Sequence, residues 1–209
     1  MAVASMVSRS SFRFGVLCED ETDFLTLREL ISRIALMYGA KPGEFGFGRR
    51  CGGGCGNLRR KAEIWANELV DEGCEGIIIV HDLDRNRVGN RLNDEVELRR
   101  RLERLAMPST AASHICIPIE EIEAWFFSCA LVMREISGKE GQSHPAPHNI
   151  ERPKERLMTL SRGANKKPRF STNDNPKYAR ILDLDACSRV CPSFRELRDF
   201  VRRYAGAGI

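Results

Sequence analysis

At 209 residues, with 42% apolar and 30% charged side chains, the chain has material for one well-packed core and is too apolar to be largely disordered. No stretch approaches the roughly 20 apolar residues that span a bilayer, and residues 1–10 lack the basic segment and long apolar run of a secretory signal, so a cytoplasmic protein without membrane contact is expected. The net charge is only +4, but the basic residues are clumped: Arg49, Arg50, Arg59, Arg60 and Lys61; Arg99, Arg100, Arg101 and Arg104; Lys166, Lys167 and Arg169. Such clusters suit an anionic polymer such as nucleic acid, and equally suit solvated helix faces.

Residues 12–18 (FRFGVLC) form a short apolar run that stops at Glu19, Asp20 and Glu21, the pattern of a buried strand. Thr22 or Asp23 is placed to cap the helix that follows, in which Phe24, Leu27, Leu30, Ile31, Ile34 and Leu36 make an apolar stripe. Gly39 and Pro42-Gly43 end it. Residues 45–47 suggest a short second strand, followed by the glycine-rich CGGGCGN (51–57) and a helix over 58–72 closed by Gly73. The most strand-like run is GIIIV (76–80), which ends in His81, Asp82, Leu83 and Asp84. A charged helix over 94–105 stops before Pro108.

HICIPI (114–119) reads as a fourth strand, followed at once by Glu120, Glu121 and Glu123 and by an apolar helix through Trp125 to Met133. Residues 137–175 are polar and rich in Pro, Gly and Lys, with one helix near 153–160. Closing helices are expected over 177–182 and 193–204, packing back on the core. Residues 1–136 thus read as the core, and 137–209 as a polar excursion with C-terminal helices.

The alternation of strands and helices predicts an α/β fold: a Rossmann-like, mostly parallel sheet with helices on both faces, plus a C-terminal helical extension. Ligands of such sheets bind at the carboxyl ends of the strands, where three runs here terminate in acids. In Asp82-Leu83-Asp84, alternation puts both carboxylates on one face and Leu83 in the core. Two close carboxylates repel unless a cation lies between them or one is protonated, and oxygen ligands of this kind suit Mg²⁺ or Mn²⁺.

The same alternation turns His81 away from the pair, while His144 and His148, beside prolines, are expected at the surface. Trp125, Phe126 and Phe127 read as core anchors. CGGGCGN, with Arg49, Arg50 and Arg59 around it, has backbone N–H groups that a phosphate can approach; it lacks the G-K-[ST] ending of a nucleotide-binding loop, so ATP binding is not expected. Eight cysteines in a chain of this size read as mostly reduced thiols, with Cys18 and Cys116 in the core. The pairs Cys51/Cys55 and Cys187/Cys191 have C-x3-C spacing; zinc ribbons use C-x2-C, and structural zinc is not expected.

VLCEDETDFLTLREL (16–30) and IIIVHDLDRN (77–86) resemble a TOPRIM domain, the metal-binding fold of topoisomerases, primases, small RNA maturases and the overcoming-lysogenization-defect nucleases. Glu19 matches the Glu after its first strand, although Asp20 stands where Gly is usual, and Asp82 and Asp84 match its D-x-D. Together with IEAWF (122–126), NPKYARIL (175–182) and CPSFRELRDF (191–200), these segments are similar to a family of short, stand-alone bacterial TOPRIM-like proteins akin to the nuclease half of the overcoming-lysogenization-defect enzymes. The resemblance implies a phosphodiesterase acting on nucleic acid in phage defence or DNA processing, with a separate ATPase as partner. It implies Glu19, Asp82 and Asp84 as ligands of one or two Mg²⁺ or Mn²⁺ ions, Glu123 as a second-metal ligand with Glu120 behind it, and Lys177 near the scissile phosphate. Arg49, Arg50, Arg59, Arg60, Lys61, Lys166 and Lys167 are the expected nucleic-acid contacts; assembly with further copies of the chain stays open.

Two other readings compete. A haloacid-dehalogenase-like phosphatase also uses D-x-D after an apolar strand, but on its first strand, and with Thr or Val where Asn86 stands here. An adaptor that binds nucleic acid or the ATPase, its acidic site vestigial, needs no catalysis at all.

Overall fold

The computed structural model describes residues 12–85, 89–163 and 167–205. Four parallel strands, β1 (Phe12–Cys18), β2 (Phe45–Cys51), β3 (Gly76–Val80) and β4 (Ala112–Cys116), lie in the order β2-β1-β3-β4. All three pairings are parallel, so each connection must cross a face of the sheet, and helices make those crossings. The α/β class, the parallel sheet, helices on both faces and the C-terminal helical extension are all present.

Strand alternation decides which helix covers which face. Leu17, Ile77 and Ile79 turn to one side and are fully buried with Leu58, Ala62, Ala66 and Leu69 of α2 (Gly54–Asp71). On that side Leu98 and Leu102 of α3 (Glu95–Glu103) cover Leu83 and Ile117. Phe14, Val16, Cys18, Ile78 and Val80 turn to the other side. There they meet Phe24, Leu27, Leu30, Ile31 and Ile34 of α1 (Glu21–Met37), with Leu36 left exposed at the end of the stripe. Glycine sets how close α2 comes: a Cβ on Gly48 would stand 2.7 Å from Leu69 Cδ2, and one on Gly15 3.1 Å from Leu69 Cδ1.

The C-terminal part consists of α4 (Ala130–Ser137), α5 (Pro153–Leu160), α6 (Asn175–Ile181), α7 (Leu184–Val190) and α8 (Pro192–Ala205). Its buried side chains, among them Leu157, Phe170, Phe194, Leu197 and Phe200, share one cluster with α1 and the sheet. Arg33 of α1 donates to the carbonyls of Ala179 and Leu182 at 2.6 and 2.8 Å, satisfying acceptors at the end of α6.

Local details differ from the sequence expectation for physical reasons. The cap of α1 is Asp20, whose side chain accepts from Asp23 N at 2.9 Å, so Asp23 lies in the first turn and is free to face the strand ends. β4 stops at Cys116, yet the chain stays extended, with Leu83 N bonded to Pro118 O at 2.9 Å. The apolar helix after it is two elements: a 3-10 helix over Ile122–Ser128, then α4. Ser128 Oγ bonds back to Trp125 O at 2.6 Å and Cys129 is extended, which breaks the α-helical ladder.

Candidate metal centre

The edge where β1, β3 and β4 end is acidic. Because Leu17 pairs with Ile79 in parallel register, the chain leaves β1 and β3 side by side, bringing Glu19 to the segment that carries Asp82 and Asp84. One ligand atom each from Glu19, Cys55 and Asp84 lies within 4.8 Å of the others, the one such group among the described residues. Cys55 comes from the first turn of α2, and its thiol donates to Asp84 Oδ2 at 3.0 Å. Burial, then the carboxylates of Asp84 and Glu19, push the Cys55 thiol up.

Glu19 also belongs to a second set of acids. The Asp82 carboxyl is held well above the usual range, first by burial and then by the charges of Asp23, Glu123, Glu19 and Glu121. Burial raises Asp23 to about 8, with Asp20, Glu123 and Glu19 adding to it and the backbone hydrogen bond to Asp20 opposing. Glu121 is pushed up to about 7 by burial and Glu123, against the pull of Lys154. Glu19 Oε1 and Asp82 Oδ1 are out of contact with water and have no hydrogen-bond partner. Acids crowded in this way must share protons or accept a cation, and the donor set of carboxylates fits a divalent ion.

Glu123 enters from the 3-10 helix, 5% exposed, and its Oε1 accepts from Asn175 Nδ2 at 2.9 Å. Glu120 does not join the cluster. It sits at positive φ (63°), which swings its side chain to Arg85, whose Nε and Nη2 reach Oε1 at 2.6 and 2.5 Å. Its charge is neutralised there rather than standing behind Glu123. Lys177 is exposed and paired with Glu135 at 2.7 Å. A cation does reach the acids from Lys154: its backbone N–H donates to Glu121 Oε2 at 3.2 Å and its ammonium lies 3.7 Å from Glu121 Oε1. Burial works against that ammonium, but Glu121, Glu123, Glu155 and Asp82 outweigh it and hold its pKa above the ordinary value.

A family model described as Domain of unknown function (DUF4276) matches residues 18–202. The chain belongs to the DUF4276 family. No curated protein and no solved structure matches it.

Beside the acids, the DUF4276 chain has a cavity of about 210 Å³ lined by Cys55, Arg59, His81, Asp82, Asp84, Asn93 and Arg101 among others. His81 lies on the α2 and α3 side, as alternation with Ile77, Ile79 and Leu83 requires, and there it lines this cavity. Of the expected nucleic-acid contacts, Arg59 lines the cavity, and Arg60 and Lys61 are exposed on α2. Arg49 is paired with Glu21 and lies over the Phe24 ring, and Arg50 is held by Glu68 and Glu72, both at 2.6 Å, so neither is presented as a bare cation. Lys167 is exposed, and Lys166 lies outside the described residues. Cys187 and Cys191 are buried in the main core of the DUF4276 chain, while Cys55 stands at the acids. Among the described residues no helix is long and apolar enough to cross a membrane.

Nothing in the sequence marks Asp23, Glu121, Cys55, Lys154 or Asn175 as members of this acidic site. Asp23 has the look of a helix cap, and Cys55 that of half a zinc pair. Glu121 sits between two acids that draw more notice, and Asn175 stands in the NPKY motif two residues from the lysine.

Proposed function

We propose that this chain is a divalent-metal-dependent nuclease that hydrolyses phosphodiester bonds, with DNA the favoured substrate. The observation that carries the reading is the packing of Glu19, Asp23, Asp82, Glu121 and Glu123 at the strand ends, with Glu19 Oε1 and Asp82 Oδ1 buried and unpartnered. A buried carboxylate oxygen without a donor costs about 1–3 kcal/mol or more, a penalty that a bound cation removes. Glu19, Asp82, Asp84 and Glu123 would hold the ion or ions, with Asn175 fixing the Glu123 carboxylate. When bound, a divalent ion supplies Lewis-acid stabilisation of charge on a phosphoryl group.

The remaining roles belong to the protein. Lys154 stands at the edge of the acids, where its ammonium would offset charge developing on a phosphate. Arg59 and Arg101 on the cavity wall, with Arg60 and Lys61 beyond, would steer the anionic backbone toward the acids. The resemblance to short TOPRIM-like proteins adds a separate ATPase partner and a role in phage defence or DNA processing.

The test is cleavage of plasmid, linear and single-stranded DNA, and of RNA, by the purified chain with and without its ATPase, in Mg²⁺, Mn²⁺ and chelator. Metal-dependent cutting that disappears in Asp82→Asn supports the proposal. Absence of cutting in every metal with the ATPase present, together with nucleic-acid binding that survives Asp82→Asn, would replace it with the adaptor reading.

A further inference from the structure

We infer that Cys55 makes this centre a mixed thiolate–carboxylate site that takes a borderline transition-metal dication of the Co²⁺ and Zn²⁺ class in preference to Mg²⁺. The inference rests on the metal-centre reading above and departs from the all-oxygen site that the sequence motifs imply.

The geometry is that of a ligand set. A metal about 2.3 Å from sulfur and about 2.1 Å from oxygen separates the two donors by roughly 3.6 Å at a tetrahedral angle. Cys55 Sγ and Asp84 Oδ2 stand 3.0 Å apart, and a Glu19 oxygen lies within 4.8 Å of both. Opening the Cys55–Asp84 pair by roughly 0.6 Å and drawing the Glu19 oxygen inward meets the requirement.

The backbone presents the thiol from a fixed position. Gly53 and Gly54, at φ 81° and 68°, turn the chain from β2 into α2, so that Cys55 falls in the first helical turn. Gly52 N bonds to Glu19 O at 3.0 Å, and Asn57 Nδ2 to Gly52 O at 2.8 Å. The segment that delivers Cys55 is thereby tied to the backbone of Glu19, a second member of the set.

An independent group points the same way. His81 is 3% exposed and lines the cavity that Cys55 and Asp84 also line. Its Nδ1 lies 2.8 Å from the Asp82 carbonyl, which can only accept, so Nδ1 carries the hydrogen. Nε2 then offers a lone pair, and it has no partner. Mg²⁺ wants six hard oxygens in a near-ideal octahedron, whereas sulfur and imidazole nitrogen favour later, softer ions. As a metal–sulfur bond forms, the thiol proton passes to solvent.

The experiment titrates the purified full chain with Co²⁺ and reads the thiolate-to-cobalt charge-transfer band in the near ultraviolet. Wild type is expected to develop the band, Cys55→Ser to lose it, and Cys51→Ser, at the end of β2 four residues earlier, to keep it. A hundredfold excess of Mg²⁺ should leave the band in place, whereas Zn²⁺ should remove it near equivalence. Cys55→Asp, checked by circular dichroism to be folded, should bind Mg²⁺ at least tenfold more tightly than wild type. Co²⁺ binding without a sulfur band, a band that persists in Cys55→Ser, or displacement by equimolar Mg²⁺ would overturn the inference while leaving the metal centre standing. Failure of calorimetry to detect binding of Co²⁺, Mn²⁺ or Mg²⁺ would remove both.

Discussion

Asn175, on the first turn of α6, donates its side-chain amide to Glu123 Oε1 at 2.9 Å in a fully buried contact. The bond couples the C-terminal helices to the acids at the strand ends, and no solvent competes with it. Asn175→Ala removes the donor and leaves a buried carboxylate oxygen bare, a loss of about 1–3 kcal/mol. Urea unfolding without metal should show a lower midpoint with an unchanged slope. Divalent metal should narrow the gap by stabilising the same carboxylate.

The crowded acids make metal-free stability fall as pH rises. Asp23 ordinarily titrates at 3.8 and is raised to about 8 in the fold, and Glu121 moves from 4.5 to about 7. Between the ordinary and the folded values the native state binds more protons than the unfolded chain, so stability is fully present below about pH 4 and is lost as pH climbs through 7 and 8. Thermal unfolding in chelator across pH 4–9, on the order of a 1.4 kcal/mol change per proton per pH unit at most, should trace this decline. Asp23→Asn should flatten it and raise the neutral-pH melting temperature; a steeper decline would contradict the account.

Cleavage should separate the two lysines. Lys154→Ala is expected to lower the rate constant about a hundredfold with the fold intact, the size seen when one charge-stabilising donor is lost. Lys177→Ala, which breaks only a surface pair with Glu135, should leave it within about twofold. Glu19→Gln and Asp82→Asn should abolish it, as measured by single-turnover cutting of labelled DNA.

Glu120 offers a contrast with its neighbours. Glu120→Gln weakens the pair with Arg85 and is expected to cost about 1–3 kcal/mol of stability, yet to leave metal affinity unchanged by calorimetry. Glu123→Gln should reduce that affinity at least tenfold. Equal losses in both would return Glu120 to the ligand set.

What could be read from the sequence was local and strongly patterned. The apolar runs of β1 and β3 stand out because they end abruptly in charge, and the alternation of strands with amphipathic helices requires a parallel sheet. Glu19, Asp82, Asp84 and Glu123 follow from being next to strand ends. The strand order does not follow, because nothing local distinguishes a central strand from an edge one. Lys154 and Glu121 meet across 33 residues through a polar stretch with no periodicity, so nothing local to Lys154 distinguishes it from the NPKY lysine. Asp23 was hidden by chemistry shared with helix caps: Asp20 and Asp23 are equally good caps until the backbone shows which one accepts. Cys55 was hidden by spacing rules that look for other cysteines, when its partners are carboxylates.

The bond between Asn175 and Glu123, the grip of Arg33 on Ala179 and Leu182, and the contact of Trp125 Nε1 with Ser193 Oγ at 3.2 Å span long separations along the chain. A nascent polypeptide emerging from the ribosome therefore carries all its strand-end carboxylates well before the helices that support them. Contacts of such range form late, because loop closure must precede them. A synthesis interrupted before α6 releases a chain with ligands but without the scaffold that orders Glu123, so competence at this centre waits on the synthesis of α6.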